Sequence, residues 1–151
     1  MSTAGIQTRL KEEHAALQDF IALLEREQQI LLAPNTEPLL DLAAEKTRAA
    51  EALTARVQQR PQYIPAEPGQ TESWLRQHAP AALDVWLAIR RLGAQAHALN
   101  QSNGELIKVR TRYNQQALQA LLGATQQSAG LYGPQGKTSL PAGNGRTLGS
   151  G

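Results

Sequence analysis

Residues 132–139 read YGPQGKTS, and the GKTS ending is that of a loop that cradles nucleotide phosphates. The full pattern, G-x-x-x-x-G-K-[ST], requires a glycine where Leu131 stands, and Gly130 comes one place too early. A working loop also follows a buried strand and opens a helix whose N-terminus faces the phosphates. Here a Gln-rich helical pattern precedes the segment and SLPAGNGRTLGSG follows it, so nucleotide binding is not expected. The three histidines, His14, His78 and His97, are isolated, and none belongs to a His-Glu-x-x-His arrangement that would hold zinc. Glu12, Glu13 and His14 are adjacent, and adjacent residues on a helix point to different faces, so this group reads as helix surface. Glu25 and Glu27 bracket no evident apolar cleft, and no strand-borne nucleophile elbow occurs. Neither catalysis nor a metal or cofactor is expected.

The remaining charged constellation is Lys108, Arg110 and Arg112, with Arg90 and Arg91 upstream. Alternate spacing spreads the first three around a helix, which serves a phosphate-tracking stripe poorly, and no aromatic platform for bases accompanies them. A solvated helix face is the simpler account. A formal charge of +2 does not argue for nucleic acid by itself. Its distribution is uneven, however, because every Asp and Glu lies at or before Glu105.

Leu and Ala dominate the apolar residues of this 151-residue chain, β-branched residues are sparse, and there is one Phe. That is the composition of helices. Cysteine is absent, so neither a disulfide framework nor a thiolate metal site is available. No apolar run approaches the roughly 20 residues of a membrane span, and MSTAGIQTRLKEEH carries acid too early for a signal peptide. A cytoplasmic location without membrane insertion is expected.

Leu10, Leu17, Leu24 and Leu31 recur at heptad spacing, predicting a long amphipathic helix from Thr3 to Leu32 with a coiled-coil-like seam. Pro34 ends it, and Asn35 or Thr36 can cap a second helix running to about Gln59. Its inner side carries Leu39, Leu42, Ala49, Leu53 and Val57. Residues 61–70 form a Pro-rich linker, from which Tyr63 and Ile64 can fold back, followed by a short WLRQH element anchored by Trp74. A third long helix extends from near Pro80 to about Leu122. Its inner positions include Leu83, Trp86, Leu87, Ala96 and Leu99. Between Gly93 and Gly104 the stripe softens to small and polar residues, which suits a kink or an unusually close partner helix. Asn100 and Asn103 cap such a kink, bond across an interface, or sit in solvent.

The expected fold is therefore all-α: an antiparallel helical hairpin or bundle over 1–122, with long N- and C-terminal helices and a shorter middle one. Residues 123–151 hold 8 of the 12 glycines and read as a flexible tail. Long amphipathic helices with few large aromatics suit acceptance of another amphipathic helix into a groove. For that groove the C-terminal half of the long helix offers Ile107, Val109, Tyr113, Leu118, Leu121 and Leu122. Each of these is also a core candidate, since a bundle helix must turn part of its surface to its neighbours.

The run LNQSNGELIKVRTRYNQQALQALLG followed by LYGPQGKTS, with its Asn103-Gly104 and Leu106-Ile107 pairs and its Tyr-Gly-Pro-x-Gly segment, resembles the FlgN family. The likeness takes in the N-terminal leucine helix with Glu25 and Gln28, the middle helix ending near Gln59, and Trp74-Leu75. It implies a cytosolic export chaperone of the flagellar type III system, without cofactor or catalysis. Its implied partners are the hook-filament junction proteins, held at their C-terminal helical region and so kept from self-association, and a component of the export gate. By the same resemblance the YGPQG segment serves client capture or gate docking, with Leu131 and Tyr132 as contacts; the alternative is that these two cap the open end of the bundle. Two further readings stay open. One is a structural coiled-coil homodimer, or other homo-oligomer, built on the Leu10 to Leu31 heptads. The other is a nucleic-acid-associated protein using Arg90, Arg91, Lys108, Arg110 and Arg112.

Overall fold

The computed structural model describes residues 1–131, and side chains for residues 1–123. Among them are four α-helices, one 3₁₀ turn and no strand: α1 (Thr3–Leu32), α2 (Leu39–Tyr63), α3 (Thr71–His78), the turn Pro80–Ala82, and α4 (Leu83–Leu131). The protein is all-α. Two compact units divide the chain, Met1–Leu106 and Ile107–Gly151.

In the first unit, α1 begins where the Ser2 hydroxyl accepts from the Gly5 amide at 3.1 Å, a side-chain cap for one of the helix's orphan donors. It ends at Ala33, whose extended backbone leads into Pro34. The heptad leucines are buried, with Leu10 and Leu24 completely enclosed. At roughly 25 cal/mol per Å² of apolar surface, each such leucine contributes about 1.5–3 kcal/mol before conformational costs. The core joins Leu10, Leu17 and Leu24 of this seam to Ile64, Leu75, Ala79, Ala82, Trp86, Ile89 and Ala96, so α3, the 3₁₀ turn and the first half of α4 share it with α1, while α2 packs along the length of α1. Within α3 the enclosed anchor is Leu75, while Trp74 is only partly buried and stacks on His78 with centroids 4.5 Å apart.

Several boundaries depart from the sequence reading. The side chain of Asn35 accepts from the Glu37 amide at 3.0 Å, but it caps a turn, and α2 starts only at Leu39. The expected linker loses its first three residues to α2, which runs through Pro61 to Tyr63. A proline this near a helix end removes one ladder bond without a following turn to disrupt. Tertiary contacts hold the turn in place, since Arg60 is fixed by its side chain and its carbonyl accepts from the Ile64 amide at 2.8 Å. What remains of the linker contains a tight turn in which the Gln70 amide donates to the Glu67 carbonyl at 2.9 Å. Pro68 and Gly69 occupy its centre, and φ at Gly69 is +82°, the type II conformation that glycine alone adopts without strain.

Through Gly93 and Gly104 α4 remains helical. Apart from the helix's own adjoining backbone, no atom lies within 4 Å of where a Cβ would sit on either glycine, so neither marks a close helix approach. The helix also continues past Gly123 to Leu131, where the glycine count had placed a tail from 123; ATQQSA, between the two terminal glycines of this stretch, is composed of residues a helix accepts. Tyr132 and the remainder of YGPQGKTS lie outside the described residues.

Candidate functional site

Two carboxylates interrupt the apolar seam of α1. Glu13 and Glu27 are both buried and stand fourteen residues apart (13 to 27), as do their partners on α2 (46 to 60). Glu13 receives Arg60 in a two-pronged contact, Nε to Oε1 at 3.1 Å and Nη2 to Oε2 at 2.7 Å. Arg60 also lies over the Trp86 ring, 4.8 Å from its centroid, so one guanidinium ties α2 to both α1 and α4. Glu27 receives the Lys46 ammonium on both oxygens at 3.1 Å. Lys46 reaches on to Asn100 Oδ1 at 3.2 Å, and Asn103 Nδ2 donates to the Leu24 carbonyl at 2.8 Å. The polar stretch of α4 is thus an interhelical hydrogen-bond network. Glu13, read from sequence as helix surface, is 1% exposed; the signal that could have placed it was the matched fourteen-residue spacing of acids and bases on antiparallel helices.

Tyr63 packs partly into the same end of the bundle. Burial raises its phenol above the ordinary value of 10.0, the Glu13 carboxylate raises it further, and Arg60, Arg9 and Arg56 pull the other way.

Two cavities adjoin these pairs. A polar one of about 650 Å³ is lined by Arg60, Trp86 and Arg90 with the Pro68-Gly69 turn and the start of α3. Its carboxylate, Glu72, already accepts from Arg76 at 2.6 Å and lies 3.5 Å from Arg90. An apolar crevice of about 240 Å³ lies among Leu17, Phe20, Leu53, Val57, Ile89 and Ala96. Among the described residues no group of three or more His, Cys, Asp or Glu side chains could hold a metal ion. His78 turns Nδ1 to the Trp74 carbonyl at 3.0 Å, apart from His14 and His97 in sequence. No helix among the described residues is long and apolar enough to cross a membrane.

The six groove candidates lie in the second unit, and all are solvent-exposed, from 43% at Ile107 to 70% at Tyr113. From Ile107 to Leu122 no side chain is buried. Among the described residues Ile107, Tyr113, Leu118 and Leu121 are therefore not core positions, which the stripe reading had allowed. Nor do the six share one face. At 3.6 residues per turn, Ile107, Leu118, Leu121 and Leu122 fall within a stripe about 100° wide, while Val109 and Tyr113 lie on the far side of it. Arg110 borders the Leu121 edge of that stripe and Lys108 the Leu122 edge, each within about 40°. Leu131 closes α4.

The heptad leucines, by contrast, are consumed inside the chain. Leu10, Leu17, Leu24 and Leu31 are each no more than 5% exposed, which removes the seam on which a coiled-coil homodimer was to be built. Arg90, one of the five basic residues weighed for nucleic acid, is engaged with Glu72.

Comparison with curated proteins and with solved structures returns no match. A family model described as FlgN protein matches residues 1–140. Such membership, in an all-α chain, supports a general chaperone role with flagellar, chaperone-type partners. Spanning nearly the whole sequence, the match shows that the chain belongs to the FlgN family.

Proposed function

We propose that this protein is a cytoplasmic export chaperone that binds the C-terminal helical region of flagellar hook-filament junction proteins, blocks their premature self-association, and delivers them to the type III export gate. The observation that carries the reading is the set of exposed apolar side chains on α4, Ile107, Leu118, Leu121 and Leu122 above all. A helix that turns leucines to solvent over four turns bears an unmet hydrophobic driving force, which an amphipathic client helix satisfies at i, i+3, i+4 and i+7 spacing. Val109 and Tyr113 widen the contact for a client that wraps around the helix. Holding needs no bond chemistry. It requires that the client's apolar stripe be covered until export, and that the complex be weak enough to release it, since ordering costs offset much of the burial. Leu131 and Tyr132 form a second contact, to the client or to the gate.

The test is calorimetric titration of the full chain with the C-terminal helical segment of a junction protein. Saturable binding with a negative heat-capacity change is expected, because apolar burial carries that sign. Replacing Tyr132 by Ala in the full chain tests the second contact: weakened client binding assigns Tyr132 to capture, and unchanged binding removes it from the client contact. Absence of any binding by folded protein would refute the client assignment.

A further inference from the structure

The polar cavity of the first unit is richer in hydrogen-bond donors than in acceptors. Arg60, Arg76 and Arg90 all line it, against one lining carboxylate, Glu72. Arg60 leaves no net charge, because the Glu13 carboxylate receives it on both oxygens. Arg76 and Arg90 share Glu72. Arg76 donates to Oε1 at 2.6 Å, whereas Arg90 stands 3.5 Å from Oε2, beyond ordinary N–H···O reach, and makes no hydrogen bond among the described residues. One positive charge is therefore left over where α3 and α4 face the cavity. The start of α3 adds donors of its own. Its N-cap residue, Gln70, makes no side-chain cap, so the amides of Thr71, Glu72 and Ser73 have no partner within the helix. Trp86 is also part of the wall; it is 8% exposed, and its indole N–H has no acceptor.

We infer that this cavity docks an acidic peptide segment of a partner protein, with a side-chain carboxylate of that segment seated between Arg76 and Arg90. Guanidinium groups recognise a planar carboxylate through paired N–H donors. The charge balance selects a monoanion: one incoming carboxylate beside Glu72 sets two anions against the two cations that share that site. A phosphate near its dianionic form would set about three negative charges against the same two cations. The volume selects a stretch of chain over a lone ion, since 650 Å³ falls among the pockets that enclose ligands of drug size. A nucleotide base gains little stacking here, because Arg60 already lies over the Trp86 ring. In the free protein Glu72 acts as an internal competitor for both arginines. The cavity shares no residue with the stripe from Ile107 to Leu122, so the inference does not depend on client capture at α4.

The experiment uses the full chain carrying Trp74→Phe, which leaves Trp86 as the sole indole and its fluorescence as the reporter, with calorimetry as a second readout. The probe is a tetraglutamate peptide capped at both ends, titrated at low salt. Saturable binding at about millimolar concentration or below is expected, with a capped tetraglutamine peptide at least tenfold weaker. Arg76→Gln/Arg90→Gln should weaken tetraglutamate binding about tenfold, because two charge-assisted contacts are lost; circular dichroism checks that its helix content is unchanged. Glu72→Gln should act in the opposite direction and tighten binding about threefold, since it removes the internal competitor. Damage to the fold cannot produce that gain. Equal binding of the two peptides, or an affinity indifferent to the arginine and Glu72 variants, overturns the inference, as does the absence of saturable binding by the folded chain. Acetate or inorganic phosphate binding as tightly as tetraglutamate makes this a site for small anions and overturns the peptide assignment. None of these arms uses a junction protein, so each outcome leaves the capture role to its own test.

Discussion

Asn103 donates from Nδ2 to the Glu27 carboxylate at 2.9 Å, across the contact between α4 and α1. Because Lys46 holds the same carboxylate from α2, three helices meet at one side chain. Buried polar groups of this kind discriminate among alignments: sliding α4 by one turn along α1 would separate Asn103 from both Glu27 and the Leu24 carbonyl, at the desolvation cost of each. Asn103→Ala is expected to destabilise the fold by about 1–3 kcal/mol in urea unfolding, and Asn103→Asp by more, since it sets a second carboxylate beside Glu27. An Asp variant as stable as the wild type would show that Asn103 does not report the alignment of α4.

Glu13 and Arg60 make a similar prediction with an added control. Arg60→Ala leaves a carboxylate buried without its guanidinium and also strips the cation from the Trp86 face. A loss of about 3–5 kcal/mol is expected. The double substitution Glu13→Leu/Arg60→Met removes both charges and keeps apolar bulk, and should recover most of that loss. If the double variant is as unstable as the single, the pair contributes more than charge compensation.

High pH should weaken the fold through Tyr63. Its phenol is raised above 10.0, chiefly by burial and then by Glu13, so the folded state holds its proton where the unfolded chain has released it. The stability it contributes is full below the unfolded value and is lost as pH rises through the raised one. Tyr63→Phe should therefore narrow the fall in chemical-denaturation midpoint above about pH 10 and leave the profile at pH 7 to 9 parallel to the wild type.

Gly93 and Gly104 sit inside α4 with open space where a Cβ would be. Alanine at either position should stabilise the protein by about 0.5–1 kcal/mol, because it restricts the unfolded chain and clashes with nothing. A destabilising alanine, measured by thermal unfolding, would mean that the glycine is needed for a conformation other than the helix.

Leu118→Ser and Leu122→Ser are expected to leave stability within about 0.5 kcal/mol of wild type, as substitutions at exposed positions do. Client affinity should fall about tenfold or more if these leucines anchor the bound helix. Unchanged affinity in the calorimetric titration would move the capture surface off this stripe.

Much of the architecture was legible because α1 repeats leucine every seven residues and prolines at 34 and 38, at 61, 65 and 68, and at 80 mark the breaks between helices. Tyr63 and Ile64 fold back as their apolar character required, and Ile64 is buried. Pro61 was less transparent: local chemistry argues for a helix end, but the Arg60 side chain is held by residues far away in sequence. Glu13 was misread for a related reason. A carboxylate on an amphipathic helix is ordinarily solvated, and only a partner on another helix converts it to a buried one. The stretch from Ile107 to Leu122 had looked equally suited to core and to surface, since periodicity shows that a helix has an apolar side without showing what covers it. Exposure separates the two.

The two acids in the α1 seam also bear on how copies of this protein treat one another. A parallel pairing of two such seams would bring Glu13 against Glu13 and Glu27 against Glu27, each stripped of the Arg60 or Lys46 that neutralises it. A run of heptad leucines that invites dimerisation on paper is thereby insulated against it. As more of the protein is synthesised, its concentration rises while this zipper gains no affinity for itself, and each newly made copy keeps that seam for its own fold.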